Sequence, residues 1–432
     1  NIGMSNVCSV PFSYIFLRGQ GVKIFSLVAK QCKEDNFLIP YQDKKWKCDI
    51  CKKDNSSFDE FCADENCLAP KPENEGYEGA IVLHPTPGIY IDEPISVLDY
   101  ASLYPSSMIS ENISHDTIIL NDKYDNLDGF EYVDITFDLF KGKGDAKKKI
   151  GEQTCRYVQF PNGEKGLLPR ILQKLLKQRK ATRKKITWKT ITLENGEEYK
   201  GNIIEETDDI IKLKVEDKDM IEIIKKNIVN NKYTHNDFEK AVLDGLQLAY
   251  KVTANSLYGQ VGAPTSPIFM KELAASTTAT GRNLIMSAKK FAEEEYNCEV
   301  VYGDTDSIFI KLPPLSCYKK YGHPTEKQNI LQYNVTVGEK LSADFQKLLK
   351  PPHCLEWEKM FYPFIIFSKK RYVGNLYEHD VNKFKQKSMG IVLKRRDNAN
   401  IVKIIYGGLI NIILNKQDVK ESLKFLDESL NK

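Results

Sequence analysis

The sequence predicts a mixed fold of helices and strands, of the α/β (α+β) class, in a chain of 432 residues. Residues 89–99 end in alternating apolar and polar positions, which is typical of a strand. In residues 167–185 the leucines recur every fourth position, which is the stripe of an amphipathic helix. Residues 300–309, VVYGDTDSIF, place two aspartates between apolar runs, and we expect two strands around a turn at Gly303.

The composition is ordinary for a globular protein, with 41% hydrophobic and 28% charged residues and a formal net charge of +3. Positive charge is concentrated locally, because nine Lys or Arg fall within residues 165–185. Such a cluster indicates phosphate binding, although a charge run alone is usually a solvated surface. No apolar run reaches the ~18 residues of a transmembrane helix, and we expect no signal peptide. The chain begins at Asn1 and ends within a helical pattern, so we expect it to be a piece of a longer protein.

A second helix is expected over residues 236–257, where Asn236 can cap the first turn together with Glu239. We expect Tyr258-Gly259 to turn the chain after it. Between the two helices, residues 190–230 alternate in short apolar and polar runs, broken at Asn195-Gly196 and Gly201. This pattern predicts four or five short strands around hairpin turns, and it resembles an Sm-like barrel.

One face of the second helix carries polar groups that suit a polyphosphate. Gln247, Lys251, Asn255 and Tyr258 follow at offsets of 0, 4, 8 and 11, so they span only ~80° of the helix. In the first helix Arg179 lies near the buried side. Neighbouring helices that each offer a cation can bind a triphosphate; the alternative is an exposed polar face.

Three carboxylates are candidates for a metal site. Asp304 and Asp306 have the same strand parity around the expected turn, and Asp99 ends the strand at 89–99. Convergent oxygen ligands suit Mg²⁺, and two such ions can catalyse nucleotidyl transfer. An isolated Asp-Thr-Asp sequence is otherwise most often a structural turn.

Four of the ten cysteines lie within twenty residues: Cys48, Cys51, Cys62 and Cys67. Two close pairs separated by a loop can supply four thiolates to one tetrahedral Zn²⁺. A disulfide or free thiols are the alternative. Trp46 and Asn55 make the segment similar to zinc fingers of the Ran-binding-protein type, from which the CxxxxC spacing of the second pair departs. The remaining cysteines are scattered, which suits reduced thiols in an intracellular protein.

Three motifs resemble, in order and spacing, those of family B DNA polymerases: DYASLYPS at 99–106, KVTANSLYG at 251–259 and YGDTDS at 302–307. SKKRYVG at 368–374 resembles the family's primer-binding motif, and YEGA at 77–80 a variant of its YxGG element. GLLPRILQKLLKQRK at 166–180 is similar to its first fingers helix. The motifs look like those of eukaryotic delta-type polymerases and of large DNA viruses. The resemblance covers the chain apart from the cysteine segment and the β-rich insert.

The resemblance implies the right-hand fold of this family, with an antiparallel-sheet palm, helical-hairpin fingers and a truncated thumb. It also implies domain boundaries. These are a segment connecting the exonuclease to the palm at 1–45, a zinc-finger-like insert at 46–72, the palm at 73–164 and 258–390, the fingers at 165–257 with the β-rich insert at 190–230, and the start of the thumb at 391–432.

Carried over to matching positions, the resemblance implies a DNA-directed DNA polymerase core that extends a primer from dNTPs with two Mg²⁺ ions. The implied metal ligands are Asp99, Asp306 and the carbonyl of Tyr100, with Asp304 as a nearby catalytic carboxylate. The implied nucleotide-binding residues are Tyr100, Ser102, Leu103, Tyr104, Arg179, Lys251, Asn255 and Tyr258. The implied DNA-binding residues are Tyr77, Gly79, Lys369, Lys370, Arg371 and Tyr372.

Tyr104 is expected to pack beneath the deoxyribose, with Pro105 after it holding its backbone extended. The implied partners are primer-template DNA and dNTPs, with a sliding clamp bound through regions outside this chain. The family's exonuclease motifs lie upstream of Asn1, so we do not expect proofreading. A nucleus and a cytoplasmic viral factory are equally compatible locations. Two alternatives stay open: a catalytically degenerate polymerase-like scaffold, and an RNA-templated or RNA-making polymerase, which commonly has adjacent aspartates where Thr305 separates them here.

Overall fold

The computed structural model describes residues 1–40, 45–48, 50–56, 59–67, 69–70, 76–142, 147–215, 220–313, 327–394 and 398–431. The chain divides into two compact units, one from Asn1–Gly76 and Glu111–Thr277, the other from Tyr77–Ser110 and Thr278–Lys432. The predicted domain boundary at 72/73 lies outside the described residues. Among the helices that are described, none is both long enough and apolar enough to cross a membrane.

Helices and strands both occur throughout the described chain. The helices are α1 (Ile2–Cys8), α2 (Tyr14–Leu17), α3 (Gln20–Asp35), α4 (Leu103–Ser110), α5 (Leu167–Ile186), α6 (Asp237–Val261), α7 (Lys271–Tyr296), α8 (Lys327–Gln346), α9 (Asn400–Asn411) and α10 (Val419–Leu430). The strands are β1 (Lys45–Lys47), β2 (Asp54–Ser56), β3 (Gly76–Tyr77), β4 (Gly88–Tyr90), β5 (Ile95–Tyr100), β6 (Glu131–Lys141), β7 (Lys148–Gln159), β8 (Lys189–Leu193), β9 (Glu198–Glu206), β10 (Ile210–Val215), β11 (Met220–Ile224), β12 (Ile228–Tyr233), β13 (Glu299–Asp304), β14 (Ser307–Lys311), β15 (Leu355–Ser368), β16 (Arg371–Tyr377) and β17 (Phe384–Met389).

In the first unit, α5 packs along α6 and confirms the helix predicted at 167–185. Leu168 and Leu172 of the predicted stripe are fully buried. The first turn of α5 is held by side chains that precede it in the chain. The backbone N–H of Leu167 donates to the carboxylate of Asp116 at 3.0 Å, and that of Leu168 donates to Ser114 Oγ at 3.1 Å. These acceptors satisfy N–H groups that a helix start otherwise leaves unpaired.

The second predicted helix is confirmed with its capping box, since Asn236 and Glu239 exchange side-chain and backbone hydrogen bonds. Its predicted end is wrong. α6 runs on to Val261, and Tyr258 and Gly259 lie inside it. A glycine weakens a helix by only ~1 kcal/mol, so packing of the flanking residues is enough to continue it.

The insert between α5 and α6 is a five-stranded antiparallel sheet in the order β11-β10-β9-β8-β12. It encloses a small apolar core that includes Ile191, Ile211 and Leu213. The predicted hairpin turn at Asn195-Gly196 is confirmed, but the turn predicted at Gly201 is wrong. Gly201 lies within β9, where a Cβ atom would be 2.2 Å from the carbonyl oxygen of Lys214. The glycine therefore marks a close backbone approach rather than a turn.

The second unit is built on an antiparallel sheet in the order β13-β14-β5-β15-β16-β17, with β4 paired to β15. β5 lies at its centre, between β14 and β15. The single strand predicted at 89–99 is instead two strands, β4 and β5. Pro94, between them, has no N–H to donate to a strand ladder, which explains the interruption.

The sheet of the second unit has a hydrophobic core on each face. On one face, Leu98 and Ile308 pack with residues of α7 and α8, such as Ile285 and Val335. On the other face lies an aromatic cluster formed by Tyr302, Phe309, Phe361, Phe364 and Tyr372. Because both faces are covered, the strands that carry the predicted carboxylates are held rigidly from two sides.

Candidate functional site

The ends of two neighbouring strands bring Asp99 and Asp306 side by side. Asp99, at the end of β5, is the register partner of Ser307 on β14. The backbone N–H of Tyr100 donates to the carbonyl oxygen of Asp306 at 2.8 Å. Both aspartates are half-buried. The sequence motifs at 99–106 and 302–307 therefore meet at one edge of the central sheet.

The hairpin that carries Asp306 turns at Thr305-Asp306, so the prediction of a turn at Gly303 is wrong. Thr305 has φ 62°, a left-handed conformation that few non-glycine residues adopt. Gly303 lies within β13, where a Cβ atom would be 2.7 Å from Leu83 Cδ1. Its lack of a side chain admits Leu83, a residue more than two hundred positions away in sequence.

Asp304 differs from the other two aspartates because a lysine neutralises it. Lys370 Nζ lies 2.9 and 3.0 Å from its two carboxylate oxygens. The hydroxyls of Thr305 and Tyr302 donate to the same carboxylate at 3.1 and 3.3 Å. Within the described parts of the chain, only the cysteine group brings three or more potential ligand atoms within 4.8 Å of one another. The three carboxylates thus do not form one compact cluster.

Lys369 and Lys370 form the turn between β15 and β16. Lys370 is left-handed, with φ 61°, and its N–H donates to the hydroxyl of Tyr302 at 2.9 Å. Lys369 Nζ donates to the carbonyl of Val82 at 3.0 Å, and Arg371 is exposed. The ring of Tyr372 is only 8% exposed and packs in the aromatic cluster, which raises the pKa of its hydroxyl to about 12 through burial. Its ring supports the hairpin from beneath.

Tyr104 lies in the first turn of α4, so the extended backbone predicted from Pro105 is wrong. A proline in the first turn of a helix loses no hydrogen bond, which allows the helix to begin before it. Ser102, just before α4, is left-handed with φ 56°, and Leu103 is buried. Burial, and then the negative charge of Asp306, raise the pKa of the half-buried Tyr104 to about 12. The Tyr104 hydroxyl therefore lies within electrostatic reach of the carboxylate edge.

The segment that contains Tyr77 and Gly79 is fastened to α7. Arg282 donates to the carbonyl oxygen of Gly79 at 2.9 Å and to that of Glu78 at 2.5 Å. Thr278 Oγ1 donates to the carbonyl of Glu78 at 2.9 Å. Tyr77 is half-buried and Gly79 is exposed, with nothing within 4 Å of the Cβ position of Gly79.

In the first unit, the predicted stripe on α6 faces α5. Arg179 Nε donates to Gln247 Oε1 at 3.4 Å. Lys251 and Asn255 follow on the same face and are exposed, and Tyr258 is half-buried. Burial, with a smaller effect of Arg183, lowers the pKa of the Arg179 guanidinium. These groups offer a cation, an amide and a phenol along one line.

Sequence reasoning missed two charged residues of the second unit. Arg282 lies in a helix that the sequence analysis does not single out, and its binding to Glu78 and Gly79 is not visible in any local pattern. Glu356 is the register partner of Asp99 on β15, so it adds a carboxylate to the same edge. The alternation in LEWEKMF, residues 355–361, is the signal that points to it as the outward-facing position of a strand.

The four cysteines converge as predicted. Cys48 and Cys67 have their sulfurs 3.6 Å apart, and those of Cys51 and Cys62 are 3.4 Å apart. All four sulfurs lie within 4.8 Å of one another. These distances exclude the alternative of disulfides, whose sulfurs lie ~2.05 Å apart. A tetrahedron of thiolates with Zn–S bonds of ~2.3 Å requires sulfur separations of about 3.8 Å, which this group nearly has.

A buried asparagine joins the two halves of the cysteine segment. Asn55 is 3% exposed; its Oδ1 accepts from the N–H of Ala63 at 2.7 Å, and its amide donates to the carbonyl of Lys53 at 2.9 Å. Trp46 is its register partner across β1 and β2. All four sulfurs lie within 4.8 Å of one another, so the segment presents four thiol ligands around one point. The donor set therefore fits Zn²⁺.

Comparison with known proteins identifies the family to which the chain is similar. The model of DNA polymerase family B matches residues 10–201 and 221–432, leaving out residues 1–9 and part of the five-stranded insert. A DNA polymerase of Pyramimonas orientalis virus is 60% identical over the whole chain, which covers 33% of that protein. The DNA polymerase delta catalytic subunit of Candida albicans is 29% identical over 99% of this chain and 32% of its own length. The chain thus spans about a third of the length of these relatives.

A solved structure shows the same fold. The family B DNA polymerase from the archaeon Pyrobaculum calidifontis aligns with all of this chain and 40% of its own, with a TM-score of 0.53 and 20% identity. The predicted mixed fold of the family B type is confirmed. With a family model that matches nearly every residue and a viral relative identical at 60% of positions, the chain belongs to DNA polymerase family B.

Proposed function

We propose that this chain is the core of a DNA-directed DNA polymerase that extends a primer along a DNA template from dNTPs. The observation that carries the proposal is the adjacency of Asp99 and Asp306 at the end of the central strands, fixed by the 2.8 Å bond between the Tyr100 N–H and the Asp306 carbonyl. Two half-buried carboxylates that a hydrogen-bonded ladder holds together can bind divalent metal ions. The family supports the same reaction.

Asp99 and Asp306, with the carbonyl of Tyr100, would hold two Mg²⁺ ions. When bound, such ions activate the primer hydroxyl and stabilise the leaving pyrophosphate of an in-line displacement, chemistry described for polymerases as a class. Asp304 takes a different part. Since Lys370 already balances its charge, it organises the hairpin and the lysine rather than serving as a main ligand.

The residues of the first unit suit the triphosphate of the dNTP. Arg179 and Lys251 supply positive charge, and Asn255 supplies an amide that can donate to phosphate oxygens. Tyr258 would meet the minor groove of the nascent base pair. In the second unit, Ser102 precedes α4 and Leu103 begins it, and Tyr104 would stack beneath the deoxyribose.

Primer-template DNA is the proposed macromolecular partner. Lys369, Lys370 and Arg371 at the β15–β16 turn would contact the primer strand, with Tyr372 as their support. Tyr77 and Gly79 would contact the DNA from the segment that Arg282 fastens. Binding of a sliding clamp through regions outside this chain, and a location in the nucleus or in a cytoplasmic viral factory, stay predictions.

Primer extension tests the proposed function directly. The 432-residue chain is given a labelled DNA primer on a DNA template with Mg²⁺, and in parallel reactions either dNTPs or ribonucleotides. We expect extension with a strong preference for dNTPs. A chain that binds the duplex but adds no nucleotide under any condition would instead be a polymerase-like scaffold. Preference for ribonucleotides or for an RNA template would indicate the other alternative.

We further propose that Cys48, Cys51, Cys62 and Cys67 bind one structural Zn²⁺ that takes no part in nucleotidyl transfer. Protein purified without chelator is expected to contain about one zinc per chain by elemental analysis. Stripping the metal should unfold the segment around residues 45–70 while the rest of the chain stays folded, because metal binding supplies most of the folding free energy of such small units. Proteolysis with mass spectrometry would reveal new cleavage confined to this segment.

The matched control is a cysteine outside the group, Cys155, which is buried in the same unit. The Cys62→Ser variant should lose the zinc, and Cys155→Ser should keep it. A zinc content near zero in untreated protein would contradict the proposal.

A further inference from the structure

Gly281 on α7 lies directly against the ring of Tyr104. A Cβ atom at Gly281 would be 3.0 Å from Tyr104 Cε1 and 3.3 Å from Leu103 Cδ2. Carbon atoms that are not bonded prefer separations of ~3.5–4.0 Å, so even a methyl group does not fit without displacing a neighbour. A glycine inside a helix is also unfavourable relative to alanine. The close approach of the Tyr104 ring explains why a glycine occurs at this position of α7.

The helix cannot easily move back to make room. On one side, Thr278 and Arg282 donate hydrogen bonds to the carbonyl of Glu78. On the other side, the hydroxyl of Tyr100 donates to the carbonyl of Leu284 at 2.9 Å. Moving α7 would break these partly buried bonds, whereas the ring of Tyr104 moves by rotating its own side-chain torsions. A side chain at position 281 would therefore displace the ring of Tyr104 rather than α7.

Tyr104 is also the residue within electrostatic reach of the carboxylate edge. The charges that act on its hydroxyl come from Asp306, Arg282 and Asp304, besides the hydroxyl of Tyr77. A displacement of its ring by a few tenths of an ångström would therefore change the space available next to the proposed metal ligands.

We propose that Gly281 is a positioning residue that seats the Tyr104 ring and thereby sets how strongly the enzyme rejects ribonucleotides. The inference rests on the proposed function, in which Tyr104 lies beneath the sugar of the incoming dNTP. Gly281 itself touches no substrate. It acts by leaving room for the ring of Tyr104 close to the backbone of α7.

A double-mutant cycle tests the inference. The variants are Gly281→Ala, Tyr104→Ala and the double variant, and the matched control is Gly245→Ala. Gly245 is a helical glycine of α6 with nothing within 4 Å of its Cβ position. Single-nucleotide insertion kinetics on primer-template DNA give kcat/KM for a dNTP and for the matching ribonucleotide, and their ratio is the sugar selectivity.

We expect Gly281→Ala to change the sugar selectivity at least about threefold and Gly245→Ala to leave it unchanged. Because alanine at 104 leaves space for the new methyl group, Gly281→Ala should change the selectivity less than about 1.5-fold in the Tyr104→Ala background. An equal effect of Gly281→Ala in both backgrounds, or none in either while Tyr104→Ala alters selectivity, would overturn the inference. A selectivity unchanged in Tyr104→Ala itself would instead overturn the proposed role of Tyr104.

Thermal unfolding of the same four variants tests the contact between residue 281 and the Tyr104 ring without an activity measurement. Gly281→Ala should lower Tm when Tyr104 is present and should leave it unchanged or raise it when residue 104 is alanine, since alanine favours a helix. If Gly281→Ala does not fold, recovery of folding in the double variant supports the contact. A loss of Tm that is the same in both backgrounds would show that Gly281 meets something other than the Tyr104 ring.

Discussion

The Asp306→Asn variant is expected to extend a primer several orders of magnitude more slowly than the unchanged protein, while it binds primer-template DNA almost as tightly. The substitution keeps the shape of the side chain and removes one negative charge from the proposed metal ligands. Fixed charge contributes most where charge develops in the transition state, so its loss lowers the rate rather than the affinity. Asp99→Asn should behave in the same way, because Asp99 is its neighbour on β5.

Asp304→Asn is the matched comparison, two residues away in the same hairpin. Its charge is already balanced by Lys370 at 2.9 Å, so we expect a milder loss of activity. Single-turnover kinetics, with duplex affinity measured on the same samples, separates rate from binding. Near-normal extension by Asp306→Asn, or an equal loss in Asp304→Asn, would contradict these assignments.

The second large effect concerns the choice of sugar. Tyr104→Ala is expected to raise ribonucleotide incorporation relative to dNTP incorporation at least about tenfold, or ~1.4 kcal/mol. A pocket that merely fits deoxyribose rejects an added hydroxyl by only ~100-fold, so stronger rejection needs a group that clashes with the 2′-oxygen. We propose that the rigid ring of Tyr104, packed against Gly281, is that group.

Tyr104→Phe is the control, since it keeps the ring and removes only the hydroxyl. Its sugar selectivity should stay close to that of the unchanged protein, and extension with dNTPs should survive in both variants, more weakly in Tyr104→Ala because stacking is lost. If single-nucleotide insertion gives the same selectivity for Tyr104→Ala and the unchanged protein, the rejecting group lies elsewhere.

Features with a local cause were predictable from the sequence. The stripe of leucines in α5 and the exchange of hydrogen bonds between Asn236 and Glu239 in α6 involve residues within one or two helical turns. The turn at Asn195-Gly196 depends on the two residues that form it. The convergence of the four cysteines also follows from their spacing, because two short pairs on one loop have few ways to separate.

Two of the wrong predictions, the turns at Gly303 and Gly201, have a different cause, which is close contact with another segment of the chain. Gly303 looked like a turn residue, but it is required because Leu83 packs onto its strand. Gly201 likewise admits the backbone of Lys214. The pairing of Lys370 with Asp304 joins residues that are 66 positions apart, and no window of the sequence contains both. The periodicity of apolar residues predicts which face of an element is buried, but it does not predict which other segment covers that face.

The ion pair between Lys370 and Asp304 also affects how binding to a duplex should respond to ionic strength. A lysine that neutralises a phosphate normally releases a condensed counterion, and each such contact steepens the fall of affinity with salt by about 0.9 in the logarithmic slope. To bind a phosphate, Lys370 would first have to leave Asp304. The uncovered carboxylate of Asp304 would then attract a cation from solution. The Lys370 contact would therefore contribute less than about 0.9 to the slope, whereas a phosphate contact by the exposed Arg371 beside it would contribute the whole of that amount.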